Sequence, residues 1–508
     1  MQGRITIYAD YVRNHISKNI FGHFMEHSGK VIYESVYDPD SSLADEDGFR
    51  TDVLEVLREV GTPMLRYPGG NFVSNYHWEH GIGPKEKRPK MFDYAWLAED
   101  DNRFGTVEFI KLCRKVGAEP YICVNMGSGT AEEAMHWVEF CNGTGDTYYA
   151  NLRREQGYDE PFNVKYWGLG NELYGDWQFG KCSATDYAKK AVDFAKAMKW
   201  VDPTIELVAC GYDISSEWNY IVAKALKPLI SHIAIHHYSI GYGVFVDENY
   251  KQCMYIPEYL DKLTKLTHAD ILAGTDDALS NIKVSWDEWN THAWGLEREE
   301  LDEKYTLRTA VMTATILHSF IRNSNIVEIA SYSPFVNVCG AISVKENEVL
   351  KRSQYYVFKL LRDAFAECSG YVESRVDCRR HELEEVIDYS NRLPAPKFSL
   401  DAKSKARIVE TPDIDCASAI SQDGNILTVS VINKSETDDY ELDLTVWGMD
   451  LCLTDVKNYK ICNADFDAAN TMDDKNQVKI EECIVDVSNN KIMVEKHSIQ
   501  VFQFAINE

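Results

Sequence analysis

The chain has 508 residues, 45 % hydrophobic and 26 % charged, with a formal net charge of -27 at pH 7. That length supports a large core and exceeds one ordinary domain, while the acidic balance argues against nucleic acid and against anionic membrane surfaces, which both need basic patches. No stretch approaches the ~20 apolar residues of a membrane span, the start Met1-Gln2-Gly3-Arg4-Ile5-Thr6-Ile7 lacks the apolar core of a signal peptide, and 13 scattered cysteines without a Cys-x-x-Cys pair fit a reducing cytoplasm better than a disulfide framework or a zinc site.

Residues 4–8 alternate polar and apolar, the pattern of a half-buried strand. Ile20 to Glu26 is an apolar strand ending in acid. Phe49 to Val60 places Val53, Leu54, Leu57 and Val60 on one helical face, and Gly61 stops it. The same unit then recurs. Strands are expected at Met64–Tyr67, Pro120–Asn125, Val164–Glu172, Leu207–Cys210, Ile233–Tyr238, Ile282–Glu288 and within 326–338. Helices are expected around 107–113, 131–140, 184–200, 218–226, 259–266, 307–321 and 355–365. Lys85 to Lys90 reads as a loop. Eight strand–helix units make the count of a (β/α)8 TIM barrel, an α/β fold. A doubly wound open sheet is the rival, but the glycine-rich phosphate turn it usually carries after its first strand is missing.

After about Ala366 helical periodicity fades. Asp423-Gly424 is a hairpin signal between alternating segments, and alternation returns at 440–446 and 499–504. These segments predict a C-terminal β-sandwich, jelly-roll-like, beside the barrel. The expected division is 1–18 as an N-terminal strand joining the sandwich, 19–365 as the catalytic barrel and 366–508 as the sandwich.

Polar residues collect at the same end of nearly every barrel strand: Glu26, Arg66, Asn71, Asn125, Asn171, Glu172, His236, Tyr238, Glu288 and Asn337. In a barrel these ends converge on one rim. Two strand-end glutamates with aromatic neighbours, Glu172 and Glu288, the latter with tryptophans on both sides, suggest a glycosidase pair of acid/base and nucleophile. Asn171 is placed to hold a sugar 2-hydroxyl, Tyr238 to orient the nucleophile, and Arg66 to keep it ionised. Glu26 and Asn71 offer further contacts to sugar hydroxyls. Plainer readings stand beside these. Arg66 would neutralise a buried rim carboxylate, the pair His236-His237 would pack against the barrel, and Trp286 and Trp289 would divide between core and sugar platform. Trp96 and Trp294 are expected near the site. His27, His77 and His80 do not show a metal-binding spacing.

Six stretches together resemble glycoside hydrolase family 51, mainly α-L-arabinofuranosidases: Gly22-His23-Phe24-Met25-Glu26-His27, Asp45 to Arg50, Arg66-Tyr67-Pro68-Gly69-Gly70-Asn71-Phe72, Gly81 to Pro84, Asn163 to Glu172, and Asp287-Glu288-Trp289-Asn290. The resemblance runs from about residue 16 through the barrel and more weakly into the C-terminal domain. It implies a retaining, exo-acting enzyme with Glu172 as acid/base and Glu288 as nucleophile, acting on arabinose-containing oligosaccharides. It places Glu26, Arg66, Asn71, Asn171 and Tyr238 among the sugar-contacting and nucleophile-orienting residues. It further implies no cofactor and a homo-oligomer, often a hexamer. Two departures bear on the aglycone and subsite −1 contacts. Thr291-His292-Ala293-Trp294 stands where the family has an aromatic pair, and Arg352, two residues before Gln354, falls where the family offers a glutamine. An endo-acting glucanase or xylanase of the same fold and a non-catalytic carbohydrate-binding protein are the alternatives. Beside an ionised Glu288, Glu172 is expected to have a raised pKa, since neighbouring negative charges disfavour each other.

Overall fold

The structure is a computed structural model describing residues 1–213, 216–240, 249–294, 302–385 and 407–507. Eight parallel strands close into a barrel: β1 (Gly22–Phe24), β2 (Met64–Tyr67), β3 (Glu119–Val124), β4 (Tyr166–Leu169), β5 (Glu206–Cys210), β6 (His232–Ile240), β7 (Lys283–His292) and β8 (Val327–Tyr332). Each strand pairs with its sequence neighbours, and β8 returns to β1 through Ser331–Gly22 and Tyr332–His23. The strands are buried on both faces, so they read as continuous apolar runs rather than alternating ones. One face fills the barrel with Met64, Tyr121, Tyr166, Val208, Ala234 and Ile329. The other carries residues such as Trp167, which meets Trp137 of the covering helix Ala131–Asn142 edge-on at 6.0 Å.

Helix Thr51–Val60 buries Val53, Leu54, Leu57 and Val60 as the periodicity predicts, and ends on Gly61 in the left-handed region (φ 69°). Two helices exceed the sequence expectation. Tyr148–Glu155 carries little apolar stripe. It is tied instead by Arg153, which donates to the carbonyls of Phe140, Gly143, Tyr158 and Asp159. Tyr250–Thr275 runs through Pro257, a residue that sequence reasoning treats as a break. The region after Lys90 also holds a short hairpin, Met91–Asp93 with Ala98–Asp100, that carries Trp96 at its turn.

The C-terminal segment and the N-terminal strand Gln2–Asn14 form one curled nine-stranded sheet. Gln2–Asn14 pairs antiparallel with Cys368–Asp377 and parallel with Tyr440–Trp447. One face of this sheet encloses its own core, including Ile5, Ile7, Val429, Val431, Leu442 and Phe502. The other face sends Ala417, Ala419, Ile432 and Val501 into the barrel's core.

A buried polar cluster also joins the two parts. Asp415 lies 2.7 Å from His318 Nδ1 and 2.6 Å from Arg322 Nη1, both on helix Leu307–Arg322, and His318 Nε2 meets Ser430 Oγ at 2.8 Å. Burial opposes the Asp415 charge, but Arg322 and His318 overcome it and hold the carboxyl well below its usual range. Asp415→Ala is therefore expected to cost about 1.5–3 kcal/mol, the range for hydrogen bonds to a charged group, because the partly exposed Arg322 loses its anion. A carboxyl with a depressed folded pKa contributes stability above its unfolded value of about 3.9 and loses it as the pH falls below that. Urea denaturation of the wild type and the variant at pH 7 and pH 3 should show the difference shrinking at the lower pH.

Candidate active site

Glu288 lies near the C-terminal end of β7. Its Oε1 accepts from Arg66 Nη1 at 2.7 Å and its Oε2 from the Tyr238 hydroxyl at 2.9 Å. The preceding residue also points inward. Asp287 accepts from the Tyr121 hydroxyl at 2.6 Å, lies 3.3 Å from Arg66 Nε, and meets His236 Nε2 at 2.9 Å. Two adjacent residues cannot both face inward from a regular strand. The pairing of β7 slips on both sides here, between Ser285 and Glu288 against β6 and between Trp286 and Trp289 against β8. This irregularity turns both carboxylates into the barrel. Trp286 and Trp289 go the other way. Both are fully buried, and both pack against Phe320. They are core residues, so the apolar collar that flanks Glu288 in the sequence lies behind the strand and not over the sugar.

Glu172 sits just past β4 with φ 44°, a left-handed conformation that costs a non-glycine residue on the order of 1 kcal/mol or more. The turn aims its carboxylate across the barrel mouth. Oε1 meets His236 Nδ1 at 2.9 Å and accepts from the Tyr174 hydroxyl at 3.2 Å, and Oε2 accepts from Trp177 Nε1 at 2.5 Å. Carboxylate oxygens of Glu172 and Glu288 and a ring nitrogen of His236 all lie within 4.8 Å of one another. That is close to the 5–5.5 Å separation of a retaining pair and far from the ~6.5–9.5 Å of an inverting one.

The electrostatics differ from the sequence expectation. Burial opposes charge on His236, but Glu288 and Asp287 overcome it and push its pKa up to about 10. Burial likewise opposes the Asp287 charge, and Arg66 and His236 hold that carboxyl at about 2. Glu172 was expected high. Burial, the largest single influence, pushes it up, but the hydrogen bond and charge of His236 together with the hydrogen bonds from Trp177 and Tyr174 outweigh it and leave the carboxyl lowered. Glu288 is raised, since burial, with Glu172 adding to it, exceeds the pull of His236 and Arg66. The reversal has a simple cause: the imidazolium donates to Glu172 at 2.9 Å and stands 3.7 Å from Glu288.

The remaining predicted residues surround this centre. Asn171 is buried, accepts from Arg66 Nη2 at 2.8 Å through its carbonyl, and has its amide nitrogen 3.5 Å from Gln178. Glu26 accepts from the Phe72 backbone at 2.9 Å and from Trp96 Nε1 at 3.1 Å. Burial, with Glu288 second, raises its pKa to about 8, so at neutral pH it carries a proton that it can donate. Trp96 stacks on Trp294 with ring centroids 5.1 Å apart, and Trp294 Nε1 donates to the Tyr238 hydroxyl at 3.0 Å. The two tryptophans thus span from Glu26 to Tyr238. Asn71 opens the turn Asn71–Asn75 and stands half-buried. A Cβ on Gly70 before it would lie 2.7 Å from Glu288 Oε1, so a larger residue there would push that carboxylate out of place.

Some expected rim residues lie elsewhere in the fold. Asn337 staples a loop through Lys30 and Val344. Arg352 is buried against Asp302 and the carbonyls of Val338 and Gly340, and Gln354 donates to Thr309. Four residues of the site had no part in the sequence reading of the chemistry or only a packing role: Asp287, Tyr174, Trp177 and His236. The one available signal was the spacing His236-x-Tyr238, which puts both side chains on the same face of a strand. Among the described residues, two groupings have metal-binding spacing, Glu172–His236–Glu288 and Glu206–His232–Glu328. Neither contains His27, His77 or His80. His77 pairs with Glu133 at 3.0 Å, and His27 packs against Phe72.

Residues 56–252 match the family model of the alpha-L-arabinofuranosidase 1 domain, and residues 287–498 that of the alpha-L-arabinofuranosidase C-terminal domain. The chain is 37 % identical over 458 residues to a probable alpha-L-arabinofuranosidase C of Aspergillus clavatus, covering 86 % of each. It is 32 % identical over 474 residues to an intracellular exo-alpha-(1->5)-L-arabinofuranosidase 1 of Bacillus subtilis, covering 88 % of each. Among solved structures, the arabinose complex of an alpha-L-arabinofuranosidase from Thermotoga maritima superposes with a TM-score of 0.86 at 36 % identity, over 99 % of this chain and 100 % of that one.

Proposed function

This chain belongs to the α-L-arabinofuranosidases of glycoside hydrolase family 51, and from that premise we propose a retaining mechanism carried by Glu288 and Glu172. The enzyme is an exo-acting α-L-arabinofuranosidase. Glu288, oriented by Tyr238 and Arg66, attacks the anomeric carbon of a terminal arabinofuranosyl residue. The His236 imidazolium passes its Nδ1 proton to Glu172, which hands it to the departing glycosidic oxygen, leaving His236 neutral and Glu172 a carboxylate able to act as base. The arabinosyl–Glu288 ester is then hydrolysed by a water whose proton returns to Glu172. The observation that carries this reading is the separation of under 4.8 Å between the two carboxylates, with Arg66 on one and His236 on the other. Asn171 and Glu26 hold sugar hydroxyls, Asn71 contributes from the rim, and the Trp96–Trp294 pair walls the site on the side that an exo enzyme closes.

The substrates are short arabinose-containing oligosaccharides. Residues 19–365 supply the site, and the N-terminal strand with residues 366–508 supports it. All 13 cysteines are free thiols, which supports a reducing, cytoplasmic setting. No helix of the described residues is long and apolar enough to cross a membrane. A homo-oligomer, up to a hexamer, completes the reading on the strength of the family resemblance, and light scattering tests it. The central experiment is a panel of aryl glycosides set against soluble glucan and xylan, with proton NMR of the first-formed sugar. Release of arabinose in the α configuration is expected. Cleavage of glucan or xylan in its place favours the endo-acting alternative, and β-configured product removes the retaining mechanism.

His236→Asn separates proton supply from positioning. In the wild type the His236–Glu172 pair holds its proton up to the imidazolium's pKa of about 10. Without the ring, Glu172 itself must hold that proton. Facing Glu288, its carboxyl rises above its ordinary value but stays a carboxylic acid. The basic limb of the kcat/KM profile should therefore move to lower pH by at least about one unit. A lowered rate with an unmoved basic limb would mean that His236 only positions Glu172.

A further inference from the structure

We propose that the N-terminal end of the barrel, opposite the glycosidase site, binds a divalent transition-metal ion, zinc foremost, through His232, Glu206 and Glu328. Glu206 opens β5, His232 opens β6, and Glu328 is the second residue of β8. Strand starts of a parallel barrel converge on the end away from the chemistry. A ligand atom of each of the three residues lies within 4.8 Å of the other two.

The decisive group is His232, whose side chain is 1 % exposed. Its Nδ1 is 2.8 Å from Ser231 Oγ, and Ser231 Oγ is 3.3 Å from the Leu207 carbonyl. A carbonyl only accepts, so the serine gives its hydrogen there and takes one from Nδ1–H. That assigns the Nδ1 hydrogen to the serine and leaves Nε2, on the Glu328 side, as the ring nitrogen that a metal would take, the outer-shell arrangement that orients a metal-binding imidazole. Nε2 is buried and makes no hydrogen bond among the described residues. Glu328 Oε2 lies 3.5 Å from it.

The geometry suits zinc. Ligands about 2.0–2.1 Å from a tetrahedral ion are separated by about 3.3 Å along each edge, close to the 3.5 Å already present between Nε2 and Oε2. One imidazole and two carboxylates are an ordinary zinc donor set, with water in the fourth position. Glu206 and Glu328 have side chains 28 % and 36 % exposed, so an ion reaches the site from solvent. Lys165 occupies Glu206 Oε1 at 2.7 Å and leaves the second oxygen for the metal.

The test uses the full-length protein, dialysed against chelator and titrated with zinc chloride by calorimetry, with calcium chloride as control. One zinc and no calcium per chain is expected. A crystal of the zinc-loaded protein should show an anomalous peak beside His232 Nε2. His232→Ala and, separately, Glu328→Gln should lose that equivalent while keeping turnover of an aryl arabinofuranoside. Ser231→Ala should weaken zinc binding by about 10- to 100-fold. Glu328 is partly exposed, so its variant decides the matter if His232→Ala does not fold. No stoichiometric uptake by the wild type would leave a simple imidazolium–carboxylate pair and overturn the proposal. Uptake unchanged in both variants would do the same, as would uptake lost in His236→Asn, which would put the ion in the catalytic centre.

Discussion

Glu288→Ala is expected to lower turnover of every arabinofuranoside, activated or not, by on the order of 10^5-fold or more. In the proposed mechanism a Glu288 carboxylate oxygen attacks, so no leaving group compensates for its loss. The fold should survive, because the substitution removes a charge that burial already opposes. Arg66 keeps its second partner Asp287 at 3.3 Å and its bond to Asn171. Circular dichroism and the thermal midpoint should therefore stay near the wild type while activity vanishes. Rescue makes the test sharper. Azide fits the space left by the missing carboxylate and attacks from the same side, so Glu288→Ala with azide should yield the inverted arabinosyl azide. A mechanism-based inhibitor that labels any other residue would remove Glu288 from the role.

Replacing Glu172 should divide substrates by their leaving groups. General acid catalysis is worth about 10²–10⁴-fold, so Glu172→Gln should lose that much on natural arabinosides and aryl substrates with poorly acidic phenols. It should lose little in the first step on activated phenols, which depart without a proton. The intermediate on Glu288 then accumulates, because the base that activates water is also gone, and a burst of phenol should precede a slow steady state. Azide added to Glu172→Ala should give the retained arabinosyl azide, the opposite stereochemistry to that of Glu288→Ala. Equal losses on both kinds of substrate would argue against the assignment. Glu172 also anchors the exposed Trp177 through a 2.5 Å bond, so binding of the leaving-group side should weaken in the alanine variant. A rise in KM for oligosaccharides larger than that for aryl substrates would register this.

Much of the barrel was legible because local rules and the fold agree. Val53, Leu54, Leu57 and Val60 lie on the face that the 3.6-residue period assigns them. Strands covered on both sides appear as apolar runs ending in polar residues, and that recurrence made the eight-unit count and the rim readable. The polar helix Tyr148–Glu155 and the start of Tyr250–Thr275 before Pro257 escaped for different reasons. Arg153's four carbonyl contacts are tertiary and leave no period in the sequence, while the start of Tyr250–Thr275 does carry a cap, Asn249 accepting from the Gln252 N–H, that the break signal of Pro257 masked.

The functional site divides along the same line. Residue types at strand ends were enough to expect Glu172, Glu288, Arg66 and Tyr238 on one rim, and their side chains do meet there, because a strand end in a parallel barrel has one destination. The inward turn of Asp287 was hidden, since it depends on a slip in pairing between β7 and both its neighbours. So was the burial of Trp286 and Trp289 against Phe320, since alternation alone does not say which side of a strand faces the sugar. The protonation order was hidden most deeply. It depends on whether His236 stands nearer Glu172 or Glu288, a difference between 2.9 and 3.7 Å. Chain order carries which groups meet, through periodicity and strand direction; the balance of charge among them is set by sub-ångström distances in a water-poor interior, where Coulomb energies change steeply with position.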